Sequence, residues 1–300
     1  MIIKSFDGKE ITIYEWLDCK EPKGIVQIAH GMVDHATRFD RFAKYLNLKG
    51  YLVIASDHRG HGETDKETLG YSEGDMFNDT VRDLAFIAKQ YGEKYQGLKY
   101  ILFGFSYGSF LAQSFIGRYS RFIDGVVLGG SAYMNKVSTT FATAVAFIGK
   151  KYRGANAPAK LIKKMTFEAY DKSFKEGVFL STNEENNENY YKDELTSFIC
   201  SYNFYESFFK GLNSLYTKVY ADGVVKTMPI MIISGADDAV GGKSRLTTKL
   251  YNYYKKINCI NVSLNLIQGS RHEFLNEDDW ITSAGLIKNF CDKCDKKNRK

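Results

Sequence analysis

The pentapeptide Gly-Phe-Ser-Tyr-Gly at residues 104–108 limits the folds that this chain can adopt. A short apolar run at residues 100–103 precedes it, and a helical pattern at residues 109–116 follows it. A G-x-S-x-G sequence between a strand and a helix is typical of a nucleophile elbow, a strained turn that exposes a serine hydroxyl. The two glycines let strand and helix approach closely, because they lack a Cβ. So short a pattern also arises by chance in ordinary strand-to-helix turns, so catalysis needs support from the rest of the chain.

Short apolar runs alternate with amphipathic helical patterns up to about residue 131 and again from residue 229. This alternation predicts an α/β fold, with a mostly parallel, doubly wound sheet that carries helices on both faces. Residues 132–227 lack short apolar runs, are rich in aromatic residues and show helical spacing. We therefore expect a core made of residues 1–131 and 228–300, into which residues 132–227 are inserted as a helical cap.

Residues that could complete a catalytic site follow later predicted strands. A serine hydroxyl is a poor nucleophile at neutral pH and needs a base, which an acid must orient. His272 follows the apolar run at residues 261–267. Asp237 and Asp238 follow the preceding apolar run, at residues 229–234. Ligands of open α/β sheets bind at the carboxyl ends of the strands. The order Ser106, aspartate, His272 is that of an α/β-hydrolase triad, and at this point either aspartate could be the acid.

An oxyanion hole needs two N–H groups aimed at the negative charge that develops on the substrate. The first donor is expected from Tyr107, the residue after the nucleophile. The second is expected from Met32, in the loop that follows the apolar run at residues 24–29. Gly31 lets that loop approach the substrate closely. Each such donor stabilises the transition state by about 3–4 kcal/mol.

The composition is that of an ordinary globular protein, with 44% hydrophobic and 25% charged residues. Although the formal net charge is +6, no long basic stripe interleaved with aromatic residues is present, so nucleic-acid binding is not expected. The chain shows no leader pattern and no run of 18 apolar residues, and its five cysteines do not suggest a disulfide framework. These features predict a cytoplasmic protein. No histidine and carboxylate spacing on one element indicates a metal site.

Several blocks of the chain resemble one branch of the α/β-hydrolase superfamily, which contains monoacylglycerol lipases and bacterial lysophospholipases and is often labelled serine aminopeptidase-like. The blocks are residues 29–35 (AHGMVDH), 56–64 (SDHRGHGET), 104–109 (GFSYGS), 234–242 (SGADDAVGG) and 270–277 (SRHEFLNE). The resemblance implies an α/β-hydrolase fold with the triad Ser106, Asp238 and His272. It selects Asp238 because the branch places the acid three residues after the glycine that ends its strand, here Gly235. Where this branch often has methionine, the chain has Tyr107, whose ring is expected to narrow the acyl site.

The expected cap contains a dense apolar run at residues 141–148, followed by basic residues that include Lys150, Lys151 and Arg153. One interpretation is a helix that buries its apolar side over the sheet and leaves a solvated basic edge. The other is that this region also contacts anionic lipid headgroups as a peripheral membrane surface. A polar stretch at residues 184–189 is interpreted as a loop.

Together these features predict a serine hydrolase that cleaves small carboxylic acyl esters, of the monoacylglycerol or lysophospholipid type, through an acyl-enzyme. The mechanism requires no cofactor. One alternative is an aminopeptidase-type serine peptidase, which would need an anionic site for the substrate's α-amine; Glu184, Glu185, Glu188 or Asp193 could supply it. The other is a non-catalytic ligand-binding protein on a hydrolase scaffold, which would have no need of a complete triad.

Overall fold

The fold alternates strands with helices over residues 1–296, the part of the chain that the computed structural model describes. The strands are β1 (Ile2–Lys4), β2 (Glu10–Trp16), β3 (Gly24–Ala29), β4 (Tyr51–Ser56), β5 (Lys99–Phe105), β6 (Gly125–Gly129), β7 (Ile230–Gly235) and β8 (Val262–Ile267). The α-helices are α1 (Asp40–Leu48), α2 (Met76–Lys94), α3 (Tyr107–Ile116), α4 (Lys136–Arg153), α5 (Lys160–Met165), α6 (Phe167–Asp171), α7 (Glu184–Lys192), α8 (Tyr202–Ser214), α9 (Lys218–Gly223), α10 (Arg245–Lys256) and α11 (Trp280–Lys293).

The strands form one sheet in the order β1-β2-β4-β3-β5-β6-β7-β8. β2 pairs antiparallel with β1 and β4, and the other neighbouring strands are parallel. The mostly parallel sheet predicted from the sequence is therefore confirmed. Gly104 at the end of β5 lies between Ala29 of β3 and Leu128 of β6. Because the parallel strands end at the same edge of the sheet, the loops after β3, β5, β7 and β8 come together there.

Helices cover both faces of the sheet, as a doubly wound fold requires. On one face the buried core includes Val81 of α2, Leu111 of α3 and Phe208 of α8. On the other face it includes Phe42 of α1 and Ile287 of α11. Strands β3, β4, β6 and β7 are buried along their whole length, since helices lie on both of their faces. Their near-continuous apolar sequences follow from this burial.

Residues 132–227 contain the six helices α4 to α9. α4 packs along α8, and α8 packs in turn against α2 of the core. The Cβ of an alanine at Gly211 would lie 2.1 Å from a ring carbon of Phe77, so this glycine sets how closely α8 approaches α2. A search of the helices within residues 1–296 finds none with the length and apolar character that a membrane crossing requires.

The predicted loop at residues 184–189 is wrong, because these residues form most of α7. The side chain of Asn183 caps this helix by accepting a hydrogen bond from the N–H of Asn186. Glu184 and Glu185 lie in the first turn, where carboxylates interact favourably with the helix dipole. The buried Tyr190 then attaches an otherwise polar helix to the protein. An N-cap asparagine followed by acidic residues was the sequence signal for this helix.

Candidate active site

Ser106 lies at a sharp turn between β5 and α3. Its backbone angles are φ 51° and ψ −115°, a strained conformation for a residue with a side chain. The backbone N–H of Ser106 donates to the carbonyl of Gly129 at 2.9 Å, which holds the turn against β6. A Cβ on Gly108 would lie 2.0 Å from the carbonyl oxygen of Ala29, and one on Gly104 would lie 2.3 Å from that of Gly108. Both glycines of the pentapeptide are therefore required by close packing.

The side chains of Ser106, His272 and Asp238 form one hydrogen-bonded chain. Nε2 of His272 lies 2.8 Å from Oγ of Ser106. Nδ1 of the same ring lies 2.9 Å from Oδ1 of Asp238. A proton on Nδ1 can bond to the carboxylate and leaves Nε2 free to accept the serine proton. Asp237 is instead exposed, so of the two adjacent aspartates only Asp238 contacts the histidine.

Asp238 is completely buried, yet it is held in its ionised form. Burial opposes ionisation, but the charge of His272 and hydrogen bonds from His272, Ser234 Oγ and the Val240 N–H outweigh it and lower the pKa of Asp238. Burial likewise disfavours the charged imidazole, but the Asp238 carboxylate outweighs this effect and raises the pKa of His272. The pair therefore makes His272 a stronger base than a free histidine.

Met32 and Tyr107, the two expected oxyanion donors, line the same pocket as Ser106 and His272. Within residues 1–296, neither backbone N–H donates a hydrogen bond to a protein acceptor. Tyr107 is the first residue of α3, so its N–H lies at the positive end of a helix dipole. The Met32 loop is braced by Asp34, whose carboxylate accepts the N–H of Gly31 at 3.3 Å.

A buried ion cluster around Arg38 was not found from the sequence. Its guanidinium donates to both carboxylate oxygens of Glu273 at 2.9 and 2.8 Å, to Asp34 at 3.1 Å and to Asn186 of α7 at 3.3 Å. Burial alone would raise the pKa of Glu273, but the Arg38 charge and its hydrogen bonds lower it to about 2. Because Glu273 follows His272 directly, the cluster connects the loop that contains Met32, His272 and helix α7.

The pocket beside Ser106 has about 790 Å³ of empty space, counting its open mouth. Its walls are mostly apolar and come from the core and from residues 132–227, including Phe110 of α3 and Phe208 and Phe209 of α8. The Tyr107 ring forms part of this wall, with its centroid 5.4 Å from that of Phe208. Such a lining suits an acyl chain better than a polar substrate group.

Three buried histidines, His30, His58 and His61, lie together at the start of the loop that contains Met32. Nε2 of His30 accepts the N–H of His58 at 3.0 Å, and the two rings stack with centroids 3.9 Å apart. Burial lowers the pKa of His58 to about 3 and that of His61 to about 4, and it holds the pKa of His30 well below its usual value. Among residues 1–296, no group of three or more histidine, cysteine and carboxylate side chains is arranged to hold a metal ion.

A serine, a histidine and an aspartate joined by hydrogen bonds, at the strand ends of a mostly parallel eight-stranded sheet, define an α/β-hydrolase. The family model described as "Serine aminopeptidase, S33" matches residues 20–279. The chain belongs to this family, and the resemblance inferred from the sequence blocks is confirmed.

Individual relatives carry lipase names. A monoacylglycerol lipase of Mycolicibacterium smegmatis is 31% identical over 125 residues, which cover 42% of this chain and 44% of that protein. The monoglyceride lipase of Homo sapiens is 31% identical over 106 residues, which cover 35% of this chain and 34% of that protein. The chain thus matches less than half the length of either relative. A solved structure described as "Lipase (Open form)" has a TM-score of 0.87 at 22% identity, with 98% of this chain and 97% of that chain covered, and it supports the fold.

Proposed function

We propose that this chain is a serine hydrolase that cleaves carboxylic esters through an acyl-enzyme. The observation that carries the proposal is the continuous hydrogen-bonded chain from Ser106 through His272 to the buried Asp238, at a pocket with apolar walls. A non-catalytic binding protein would have no need of this arrangement. The relatives named monoacylglycerol and monoglyceride lipases support the same conclusion.

In the proposed mechanism, Oγ of Ser106 attacks the ester carbonyl while Nε2 of His272 takes its proton. Asp238 orients the ring and stabilises the imidazolium that forms. The N–H groups of Met32 and Tyr107 bind the oxyanion of the tetrahedral intermediate. His272 then returns the proton to the leaving alcohol, and a water molecule that it activates hydrolyses the acyl-enzyme in the same way.

The proposed substrates are small acyl esters of the monoacylglycerol or lysophospholipid type, bound beneath residues 132–227 as a cap on the core. The apolar pocket supports this choice. For the aminopeptidase alternative, Glu184, Glu185, Glu188 and Asp193 were the candidate ligands of an α-amine, and none of the four lines the Ser106 pocket. Glu188 pairs with Lys192, and Asp193 pairs with His35. An ester substrate is therefore favoured.

The Ser106→Ala variant tests the proposal. It should fold normally but lose hydrolysis of p-nitrophenyl esters and labelling by a fluorophosphonate probe. A panel of acyl esters and aminoacyl amides with the unmodified protein separates an esterase from a peptidase. Robust ester turnover by the Ser106→Ala variant would contradict the nucleophile assignment.

We also propose that α4 contacts membrane surfaces. Phe141, Phe147 and Ile148 are 64%, 53% and 54% exposed, so the apolar side of α4 is not fully buried over the sheet. Lys151 and Arg153 are exposed nearby, whereas Lys150 already pairs with Glu206 at 2.9 Å. Aromatic and aliphatic side chains next to exposed cations suit an anionic interface.

Co-sedimentation with anionic vesicles tests this contact. Phe147→Ser/Ile148→Ser and Lys151→Glu/Arg153→Glu should each reduce the bound fraction, while Lys192→Glu on the exposed side of α7 should not. Equal binding by all four proteins, or no binding by the unmodified protein, would show that α4 is not a membrane surface.

A further inference from the structure

A second cavity, which we call the annex, adjoins the Ser106 pocket. It has about 710 Å³ of empty space, counting its open mouth. The two cavities have five wall residues in common: Phe167, Phe179, Leu180, Tyr190 and Tyr205. These five residues therefore stand at the boundary between the Ser106 pocket and the annex.

The wall that the annex shares with the Ser106 pocket lies beside His272. The Phe179 ring, a shared wall, has its centroid 5.6 Å from that of His272. The Leu180 carbonyl accepts the N–H of Glu273, the residue after His272, at 2.7 Å. The leaving alcohol must receive its proton from His272, so it departs beside this wall. The annex is thus placed to hold the alcohol part of an ester whose acyl chain occupies the apolar pocket.

The annex differs from the Ser106 pocket in carrying charges of both signs. Lys163 of α5 and the α6 carboxylates Glu168 and Asp171 all line it. Nζ of Lys163 donates to the Ser197 carbonyl at 3.2 Å, which positions the ammonium group at the wall. Asp171 is positioned by accepting the N–H of Phe179 at 3.1 Å. No charged side chain of the annex is paired with another in an ion pair within residues 1–296.

We propose that the annex binds the zwitterionic headgroup of a lysophospholipid-type ester, a phosphate diester that bears an ammonium group. Lys163 pairs with the phosphate, Glu168 and Asp171 attract the ammonium, and aromatic walls such as Tyr191 and Phe198 offer π faces to it. The inference rests on the proposed ester hydrolase function and names the substrate class of the same site.

Other polar groups fit the annex less well. The neutral glycerol of a monoacylglycerol gains nothing from the three charges. A doubly charged phosphate monoester meets two carboxylates and one lysine, a net repulsion. The free α-amine of a peptide would be attracted by Glu168 and Asp171 but repelled by Lys163, whereas a zwitterion uses all three charges.

The test compares kcat/KM for three esters with the same short acyl chain, used as monomers: a lysophosphatidylcholine, a monoacylglycerol and a lysophosphatidic acid. For the unmodified protein, the zwitterion should be the best of the three. Glu168→Gln and Lys163→Ala should each lower kcat/KM for the zwitterion by roughly tenfold, the effect of one charged contact. Hydrolysis of the monoacylglycerol and of a p-nitrophenyl ester should stay within about twofold, because the alcohol part of neither ester carries a charge that could pair with these residues.

Two matched controls lie outside the annex. Lys164→Ala is a neighbouring exposed lysine on α5, and Glu185→Gln is an exposed carboxylate on α7; both should leave all substrates unchanged. Three results for Glu168→Gln and Lys163→Ala would overturn the headgroup proposal while ester hydrolysis stands. These are an equal loss of kcat/KM on every substrate, no loss on the zwitterion, or a loss of activity that is specific to aminoacyl amides. Failure of the unmodified protein to cleave any ester would overturn both proposals.

Discussion

His272 depends on the carboxylate behind it for its basicity. Its pKa is raised above the usual 6.5, because the attraction of Asp238 outweighs burial. The proposed mechanism needs the neutral His272 ring, so kcat/KM should fall as the pH drops through a value above 6.5. Asp238→Asn should lower kcat by about 10⁴-fold and move the remaining acid limb to lower pH, since the attraction is gone.

The pH profile of p-nitrophenyl ester hydrolysis checks this prediction, and Asp237→Asn is the control. Asp237 is exposed and does not contact His272, so its variant should keep the profile of the unmodified protein. An acid limb at the same pH in the Asp238→Asn variant would contradict the role given to that carboxylate.

The geometry of the triad could be anticipated from the sequence because each member follows its own strand. Parallel strands end at one edge of the sheet, so Ser106, His272 and an aspartate had to meet there. The residues alone did not decide whether Asp237 or Asp238 is the acid of the triad. The side chains of adjacent residues point in different directions, and the sequence does not show which of the two faces His272. Only the resemblance selected the buried Asp238, and the structure places it against His272.

At the scale of the helices and strands, Arg38 joins α7 to the core. Arg38→Met would leave Glu273 as a buried carboxylate without its cation, and the free energy of unfolding should fall by about 3–5 kcal/mol. Arg38→Met/Glu273→Met should recover the part of this loss that comes from the unpaired Glu273, while the buried Asp34, which also pairs with Arg38 at 3.1 Å, still lacks its cation. Lys192→Met removes an exposed ion pair of α7 and should cost less than about 1 kcal/mol.

Urea unfolding of these variants measures the changes. If the double variant is as unstable as Arg38→Met alone, the loss comes from the packing of Arg38 or from the unpaired Asp34, and not from an unpaired Glu273. This cluster could not be predicted, because the two residues are 235 positions apart in the chain. The i,i+4 spacing of Asp34 and Arg38 was visible, but it is common on exposed helices.

At the scale of the whole molecule, residues 1–131 and 228–300 could be predicted far better than residues 132–227. The apolar runs that became β3, β4 and β7 are buried along their whole length, because helices cover both faces of the sheet there, whereas the run that became the edge strand β8 is only partly buried. The helices of residues 132–227 do not belong to one regular sheet that would fix which of their residues are buried. The annex forms where α5, α6 and α7 meet residues such as Phe179, and pairings of this kind have no local sequence pattern.

The three buried histidines should make the stability of the whole molecule sensitive to acid. In the unfolded chain they bind protons near pH 6.5, but in the folded protein His58 does so only at about 3 and His61 at about 4, with His30 also well below its usual value. Below pH 6.5 the unfolded chain therefore binds more protons, and stability is lost as the pH falls. The loss approaches roughly 1.4 kcal/mol per pH unit for each histidine.

Urea unfolding at pH values from 7 to 4.5 measures this loss. The raised pKa of His272 affects stability only above pH 6.5, where stability is lost as the pH rises. The lowered pKa of Glu273 causes a further loss of stability only as the pH falls from 4.5 towards about 2. Burial raises the pKa values of Asp57, Asp83 and Asp171, and these groups oppose the loss at the acid end of the range, so the change in stability just below pH 6.5 reports the buried cluster. His61→Asn removes one titrating ring, and its amide can still donate to the Arg59 carbonyl that Nδ1 of His61 contacts at 3.0 Å. This variant should lose stability with a slope about one third smaller, because two histidines remain. A free energy of unfolding that is constant just below pH 6.5 would show that the cluster accepts protons in the folded state.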